Sequence, residues 1–288
     1  MVGAGAMGAQ LAQLFAQVGG YQVIVSDVKE DIVVNGIKGI EARMKKFFVD
    51  KGKMTEADMG GIMSRIRGTA SSVEVAKNSD YVIEAASENM DIKKKIFTEL
   101  DTNAAEHTIL TSNTSMLPVT LISSSTKRPS KVIGTHFFNP VSVMKLVEVI
   151  ETPFTAKETT KVTLELMQKV GKEVVLCKDA SYGFLANRAY TAMTNEAVQM
   201  VWERVGSPQD IDKALKLGYN LPMGPLEVFD MAGAWGLSAS SEADRIREIG
   251  DEKGRLHPLV KLMVRAGYTG GMGKKGMYAF WDDVLSKW

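Results

Sequence analysis

The chain has 288 residues, 45% of them hydrophobic and 24% charged, and its 35 basic and 34 acidic side chains leave a formal charge of +1. That composition suits a globular protein of one large or two medium domains, and the charge balance gives no electrostatic basis for binding nucleic acid. A single cysteine, Cys177, rules out an intramolecular disulfide and a cysteine-clustered zinc site, so no metal is expected and a reducing compartment is favoured. No apolar run approaches the ~20 residues of a membrane span. The N-terminus also lacks the basic and apolar regions of a secretion signal. A cytoplasmic protein with no membrane partner is expected.

The chain opens MVGAGAMGAQLAQLFAQ, where Gly3, Gly5 and Gly8 have the spacing G-x-G-x-x-G. Ala6 and Met7 begin an apolar-periodic helix through Leu11, Leu14, Phe15 and Val18. The amides and positive dipole end of such a helix suit a pyrophosphate. A β-branched run, 22–26 (QVIVS), follows and ends at Asp27, where a dinucleotide fingerprint places a carboxylate for the adenosine ribose. Asp27 would repel a 2′-phosphate, which favours NAD over NADP. A tight strand-to-helix turn that binds nothing is the simpler alternative. Only Met1 and Val2 stand where about five strand residues belong, and an N-terminus truncated within that strand is the expectation.

Residues 30–65 read as a charged helical excursion, one helix from 31 to 51 and a second ending near 65. Further strands are predicted at 81–85 (YVIEA), 107–111 (HTILT), 131–135 (KVIGT), 146–150 (LVEVI) and 173–177 (EVVLC). Alternation with amphipathic helices predicts a doubly wound, mostly parallel α/β sheet of the Rossmann type. After residue 178 strand-like runs nearly vanish. Helices are predicted over 185–204, 208–217 and 258–266, with Gly-Pro turns in LPMGPLE at 221–227. The expected domains are therefore 1–180, dinucleotide-binding, and 181–288, all-helical.

Of three histidines, His107 reads as structural at a strand entrance and His257 as solvated in a polar loop. His136 follows KVIGT at the C-terminal end of a strand, where ligands of open parallel sheets collect. Glu148 lies within the apolar run LVEVI, and a carboxylate there is costly to bury unless paired. An imidazole partner would give a proton-transferring pair whose tautomer is set by the carboxylate. A Glu facing water on an edge strand, beside an unrelated loop His, is equally compatible with the spacing.

With HFFNP at 136–140, the sequence resembles the 3-hydroxyacyl-CoA dehydrogenases, above all their short-chain, 3-hydroxybutyryl-CoA type. The likeness covers nearly the whole chain: GAGAMG, EAASENMDIKKKIF at 84–97, TSNTS at 111–115, KDASYGFLANR at 178–188 and LPMGPLEVFD at 221–230. It implies reversible oxidation of an (S)-3-hydroxyacyl-CoA to the 3-oxo thioester with NAD. By the resemblance, His136 takes the hydroxyl proton and Glu148 orients it. Ser115 hydrogen-bonds the substrate oxygen near the nicotinamide, and Asn187 donates to a substrate carbonyl. Glu88, Lys93 and Asn139 line the cofactor site. CoA contacts fall in the helical excursion, where Arg43 and Lys51 are the candidates. A homodimer formed through the helical domain and a place in fatty-acid metabolism are also implied. The chain departs from the family pattern at KDASYGF, which lacks a proline, and at GGMGKKGMYAF. By the resemblance, Met272 there stands where a cofactor-contacting lysine is expected, and Lys274 and Lys275 are the candidates to substitute for it. The rival readings are a dehydrogenase of a free hydroxy acid or sugar acid, a non-catalytic NAD-binding relative, and a piece of a larger multifunctional enzyme.

Overall fold

A computed structural model describes residues 1–180 and 182–287. The chain divides into two compact units, Met1–Ala180 and Ser181–Trp288. In the first, α1 (Ala6–Gln17) leads into β1 (Val23–Ser26), α2 (Glu30–Met44) and α3 (Glu56–Met63), then β2 (Ile66–Thr69), α4 (Ser72–Lys77) and β3 (Tyr81–Glu84). After these come α5 (Met90–Asn103), β4 (Ile109–Ser112), α6 (Val119–Ser123), β5 (Val132–Phe137), β6 (Leu146–Glu151), α7 (Lys157–Lys169) and β7 (Glu173–Lys178). Two runs of the sheet, β1-β2 and β3-β4-β5-β6-β7, pair in parallel except for antiparallel β5–β6. Every residue of β4 and β5 is buried, as strands covered by helices on both faces require.

The two runs are joined by the first residues of the chain. Val2 makes parallel bridges to both Ser26 and Glu84. Its amide donates to Ile83 O at 2.9 Å, Ala85 N donates to Val2 O at 2.7 Å, and Ser26 N donates to Met1 O at 2.8 Å. Gly3 N reaches Ser26 O at 2.7 Å, and the Met1 amine reaches Ile24 O at 2.7 Å. The stub expected at Met1 and Val2 thus occupies the central strand position. Beside it lies a cavity of about 800 Å³ lined by Met1, Val23, Ile24, Tyr81 and Ile83 among others.

Two readings, one of the excursion and one of the segment after it, are corrected. The predicted 31–51 helix ends at Met44 and passes into a π-helical turn, Lys45–Val49. Directly after the excursion comes a strand the periodicity missed, β2, whose Ile66 faces Val23 in the ladder. Only Ile66 of its four residues is buried, so it carries almost no apolar signal. Its Gly68 lets α2 close on the sheet, since a Cβ there would sit 2.5 Å from Val33 Cγ1. By contrast α3 is marked locally: Thr55 and Asp58 form a capping box, with Asp58 N donating to Thr55 Oγ1 at 3.1 Å.

The second unit is helical: α8 (Ala186–Trp202), α9 (Pro208–Tyr219), α10 (Pro225–Ala232), α11 (Ala234–Ser240), α12 (Glu242–Ile249), α13 (Asp251–Gly254), α14 (Pro258–Arg265) and α15 (Met277–Asp283). Its own core gathers Ala197, Val198, Leu226, Trp235, Leu259, Met263 and Phe280. Two carboxylates tie the helices together. Asp212 accepts from the amides of Leu226 and Glu227 and from Tyr278 Oη, while Asp230 accepts from Trp235 Nε1 and the Met277 amide. The second half of LPMGPLE is helical, because Pro225 sits at the first position of α10. His257 is not a solvated loop residue: its Nδ1 accepts from Leu259 N at 3.1 Å and caps α14, and its Nε2 faces Gln199 Oε1 at 2.9 Å. His107, by contrast, is exposed in a turn against Asp80.

Candidate active site

The glycine turn is built for close backbone packing on two sides and openness on the third. A Cβ on Gly3 would lie 2.5 Å from Ala85 O, and one on Gly8 only 1.9 Å from Gly3 O, whereas one on Gly5 would meet nothing within 4 Å. Gly3 also has φ +103°, a backbone region that L side chains rarely adopt. Gly5 is the N-cap of α1, with no side-chain cap and no acidic residue in the first turn. The first amides, at Ala6, Met7 and Gly8, therefore point from a helix N-terminus over a surface that no Cβ covers, a seat for an anion. Asp27 closes the turn: its Oδ2 accepts from Ala4 N at 2.8 Å and its Oδ1 from Val28 N at 2.8 Å.

His136 and Glu148 are directly opposed in the antiparallel β5–β6 ladder, so their side chains leave the same face of the sheet within reach of each other. His136 Nδ1 and Glu148 Oε2 are 2.7 Å apart, and the residues are 4% and 1% exposed. The open alternative, a solvated edge glutamate, is excluded: β7 covers β6 on its far side. A carboxylate at this distance favours the tautomer that carries its proton on Nδ1, and Phe138 packs on the ring with centroids 4.4 Å apart. Asn113 Oδ1 accepts from Phe137 N at 2.9 Å, fastening the end of β5 to the loop after β4.

That loop carries Ser115. Glu88 Oε1 accepts from Thr114 Oγ1 at 2.7 Å, Ser115 N at 2.8 Å, Ser115 Oγ at 3.2 Å and Met116 N at 3.3 Å. Its other oxygen faces Lys93 Nζ at 3.3 Å. Lys93 is buried on α5 and also pairs with Glu84 Oε1 at 2.7 Å. Ser115, Glu88 and Lys93 thus form one cluster, which rests on a residue the motif reading passed over, Glu84. The signal that picked out Glu148 was available there too: a carboxylate inside an apolar run, YVIEA.

Asn139, beside the cis Asn139–Pro140 peptide, accepts at Oδ1 from Gln10 Nε2 at 3.0 Å. Gln10 Oε1 accepts in turn from Val141 N at 2.9 Å, so α1 is pinned to the HFFNP segment by a glutamine that motif reading missed. Of the CoA candidates, Lys51 is exposed. Arg43 is half-buried and turned toward α1, its Nε 3.5 Å from Gln13 Oε1 and its Nη2 buried. Asn187 lies in the first turn of α8, in the second unit. Met272 is fully exposed, and Lys275 is engaged with Asp283 at 2.7 Å. The loosened turn expected in KDASYGF includes Ser181, which lies outside the described residues.

Residues 1–180 match the family model for the 3-hydroxyacyl-CoA dehydrogenase NAD binding domain, and residues 183–280 match that for the 3-hydroxyacyl-CoA dehydrogenase C-terminal domain. The chain belongs to the 3-hydroxyacyl-CoA dehydrogenase family. Among its relatives, a probable 3-hydroxybutyryl-CoA dehydrogenase of Bacillus subtilis is 41% identical over 280 residues, covering 97% of this chain and 96% of the relative. A 3-hydroxybutyryl-CoA dehydrogenase of Clostridioides difficile is likewise 41% identical, with 97% and 98% covered. A crystal structure of (S)-3-hydroxybutyryl-CoA dehydrogenase from Ralstonia eutropha superposes with a TM-score of 0.88 at 37% identity, covering 96% of each chain. This family member is an NAD-dependent oxidoreductase with a Rossmann-type sheet and a helical C-terminal region. Its open-faced glycine turn fits the diphosphate of that cofactor.

Proposed function

We propose that the chain interconverts (S)-3-hydroxyacyl-CoA and 3-oxoacyl-CoA thioesters of short acyl length, such as 3-hydroxybutyryl-CoA and acetoacetyl-CoA. The buried His136–Glu148 pair at 2.7 Å carries this reading. Gly3, Gly5, Ala6, Met7 and Gly8 would hold NAD, with Asp27 at the ribose, and the bound cofactor would accept the hydride that leaves the substrate carbon. His136 removes the hydroxyl proton at Nε2, the ring atom opposite the one Glu148 holds, and Glu148 balances the charge that the ring gains. Ser115, its amide held by Glu88, turns its hydroxyl from Glu88 to the same substrate oxygen and stabilises the charge that develops there. Asn187 donates to the thioester carbonyl, Asn139 and Lys93 complete the cofactor side, and Arg43 and Lys51 are the candidates for CoA phosphates. Lys51 is the better displayed of the two.

A homodimer working in the cytoplasm on fatty-acid intermediates completes the proposal. Exposed Val205, Leu217, Tyr219 and Met231 in the second unit favour a buried partner surface there, and the buried free thiol of Cys177 suits a reducing compartment. NADH oxidation measured across acyl-CoA substrates of increasing length, with NADPH as control, tests the activity. Turnover is expected with acetoacetyl-CoA and NADH. Turnover on a free 3-oxo acid but not on its thioester would reverse the assignment.

A further inference from the structure

Glu84 ends β3 at the point where the sheet meets both the glycine turn and the Ser115 loop. It is 0% exposed and saturated: Oε1 accepts from Lys93 Nζ at 2.7 Å and from Ala86 N at 2.7 Å, and Oε2 accepts from Ser112 Oγ at 2.6 Å. Its backbone bridges to Val2, next to Gly3. A carboxylate with no access to water is retained only where it balances another charge, and Lys93, 1% exposed, is that charge. The ammonium is shared between Glu84 and the Oε2 of Glu88, while the Oε1 of Glu88 collects four donors from Thr114, Ser115 and Met116.

We propose that Glu84 is a positioning residue of the active site, acting through Lys93 and Glu88 on Ser115. With both carboxylates in place, Lys93 is held closer to Glu84, at 2.7 Å against 3.3 Å to Glu88, and Glu88 keeps one oxygen for the loop. Without the Glu84 charge, buried Lys93 is left facing the partly solvated carboxylate of Glu88, 32% accessible, and Coulomb attraction from the uncompensated ammonium draws Glu88 off the loop. Ser112 adds a second route. Its Oγ donates to Glu84 and accepts from Thr114 N at 3.2 Å, so Glu84 also fixes the start of the turn that presents Ser115. This proposal rests on the role given to Ser115 above.

The test is a double-mutant cycle on kcat for acetoacetyl-CoA reduction, combining Glu84→Gln with Ser115→Ala. Because small displacements of a reacting group cost ~10–100-fold, Glu84→Gln is expected to lower kcat by about 10-fold or more with Ser115 present. In the Ser115→Ala background the same change should cost less than about 2-fold, the signature of coupled sites. A residue that merely supports the fold would cost the same factor in both backgrounds, and that result overturns the proposal. If Ser115→Ala alone leaves kcat unchanged, the reading of Ser115 fails and this proposal falls with it, a result distinct from equal factors. Should Glu84→Gln not fold, Ser112→Ala replaces it in the cycle. A loss of about 3-fold that disappears in the Ser115→Ala background supports the inference, and one that persists there overturns it.

Discussion

His136 and Glu148 meet because an antiparallel ladder places them face to face, and neither can be moved without exposing a buried polar group. His136→Gln is expected to lower kcat by roughly 10²–10⁴-fold, the usual contribution of a positioned base, while NADH affinity measured by fluorescence titration changes little. Glu148→Gln should give a smaller fall, since the imidazole remains but is held less firmly. Unaltered kcat in His136→Gln would remove the residue from the chemistry. Much of this site was legible beforehand. A carboxylate in LVEVI and a histidine at the end of a strand raise the question of a pair, but spacing alone left a solvated glutamate equally open, and the β5–β6 register decided it. Glu84 gave the same signal in YVIEA, but its partner lies on a helix nine positions on rather than on the neighbouring strand. Gln10 acts through two hydrogen bonds across the fold and Asn113 through one. Nothing in their local sequence distinguishes them from surface amides.

Among elements, those with strong apolar periodicity or β-branched runs were found close to their predicted places, because burial on one face or two selects those patterns. β2 was hidden by its exposure on both sides, and α11–α13 by their shortness and polar composition. α14 was found, but its cap was not, since a histidine reads as a titratable side chain before it reads as a helix acceptor. That cap makes a pH prediction. His257 accepts an amide at Nδ1, which requires the neutral ring, and burial holds its pKa below the ordinary 6.5. The folded state therefore binds this proton less readily than the unfolded chain. The stabilisation is present above 6.5 and is lost as pH falls below it. Urea unfolding monitored by tryptophan fluorescence should show that loss between pH 7 and pH 5. His257→Asn, which keeps a capping acceptor without the titration, should flatten it; an unchanged pH slope in that variant would acquit His257.

At the scale of the molecule, two units carry separate cores, and the glycine turn with Asp27 belongs to the first. NADH at 100 times its Kd is expected to stabilise the protein by ~2.7 kcal/mol, read as a rise in melting temperature that NADPH does not reproduce at equal concentration. Asp27→Ala should shrink the NADH shift and narrow the gap between the two nucleotides. An NADPH shift as large as that of NADH in the unmodified protein would contradict the role given to Asp27.

The cradle hangs from a thread of main-chain bonds. Met1, Val2 and Gly3 span the gap between β1 and β3 with five backbone bonds, and Met1, though packed in the core, also borders a cavity. Fraying confined to this thread would release the diphosphate seat while leaving the neighbouring strands zipped, so occupancy of the seat and closure of the thread are two faces of one equilibrium. The amide protons of Gly3 and Ala85 are its reporters. They should trade with deuterium well before those of β4 and β5, and slow markedly once NADH is added.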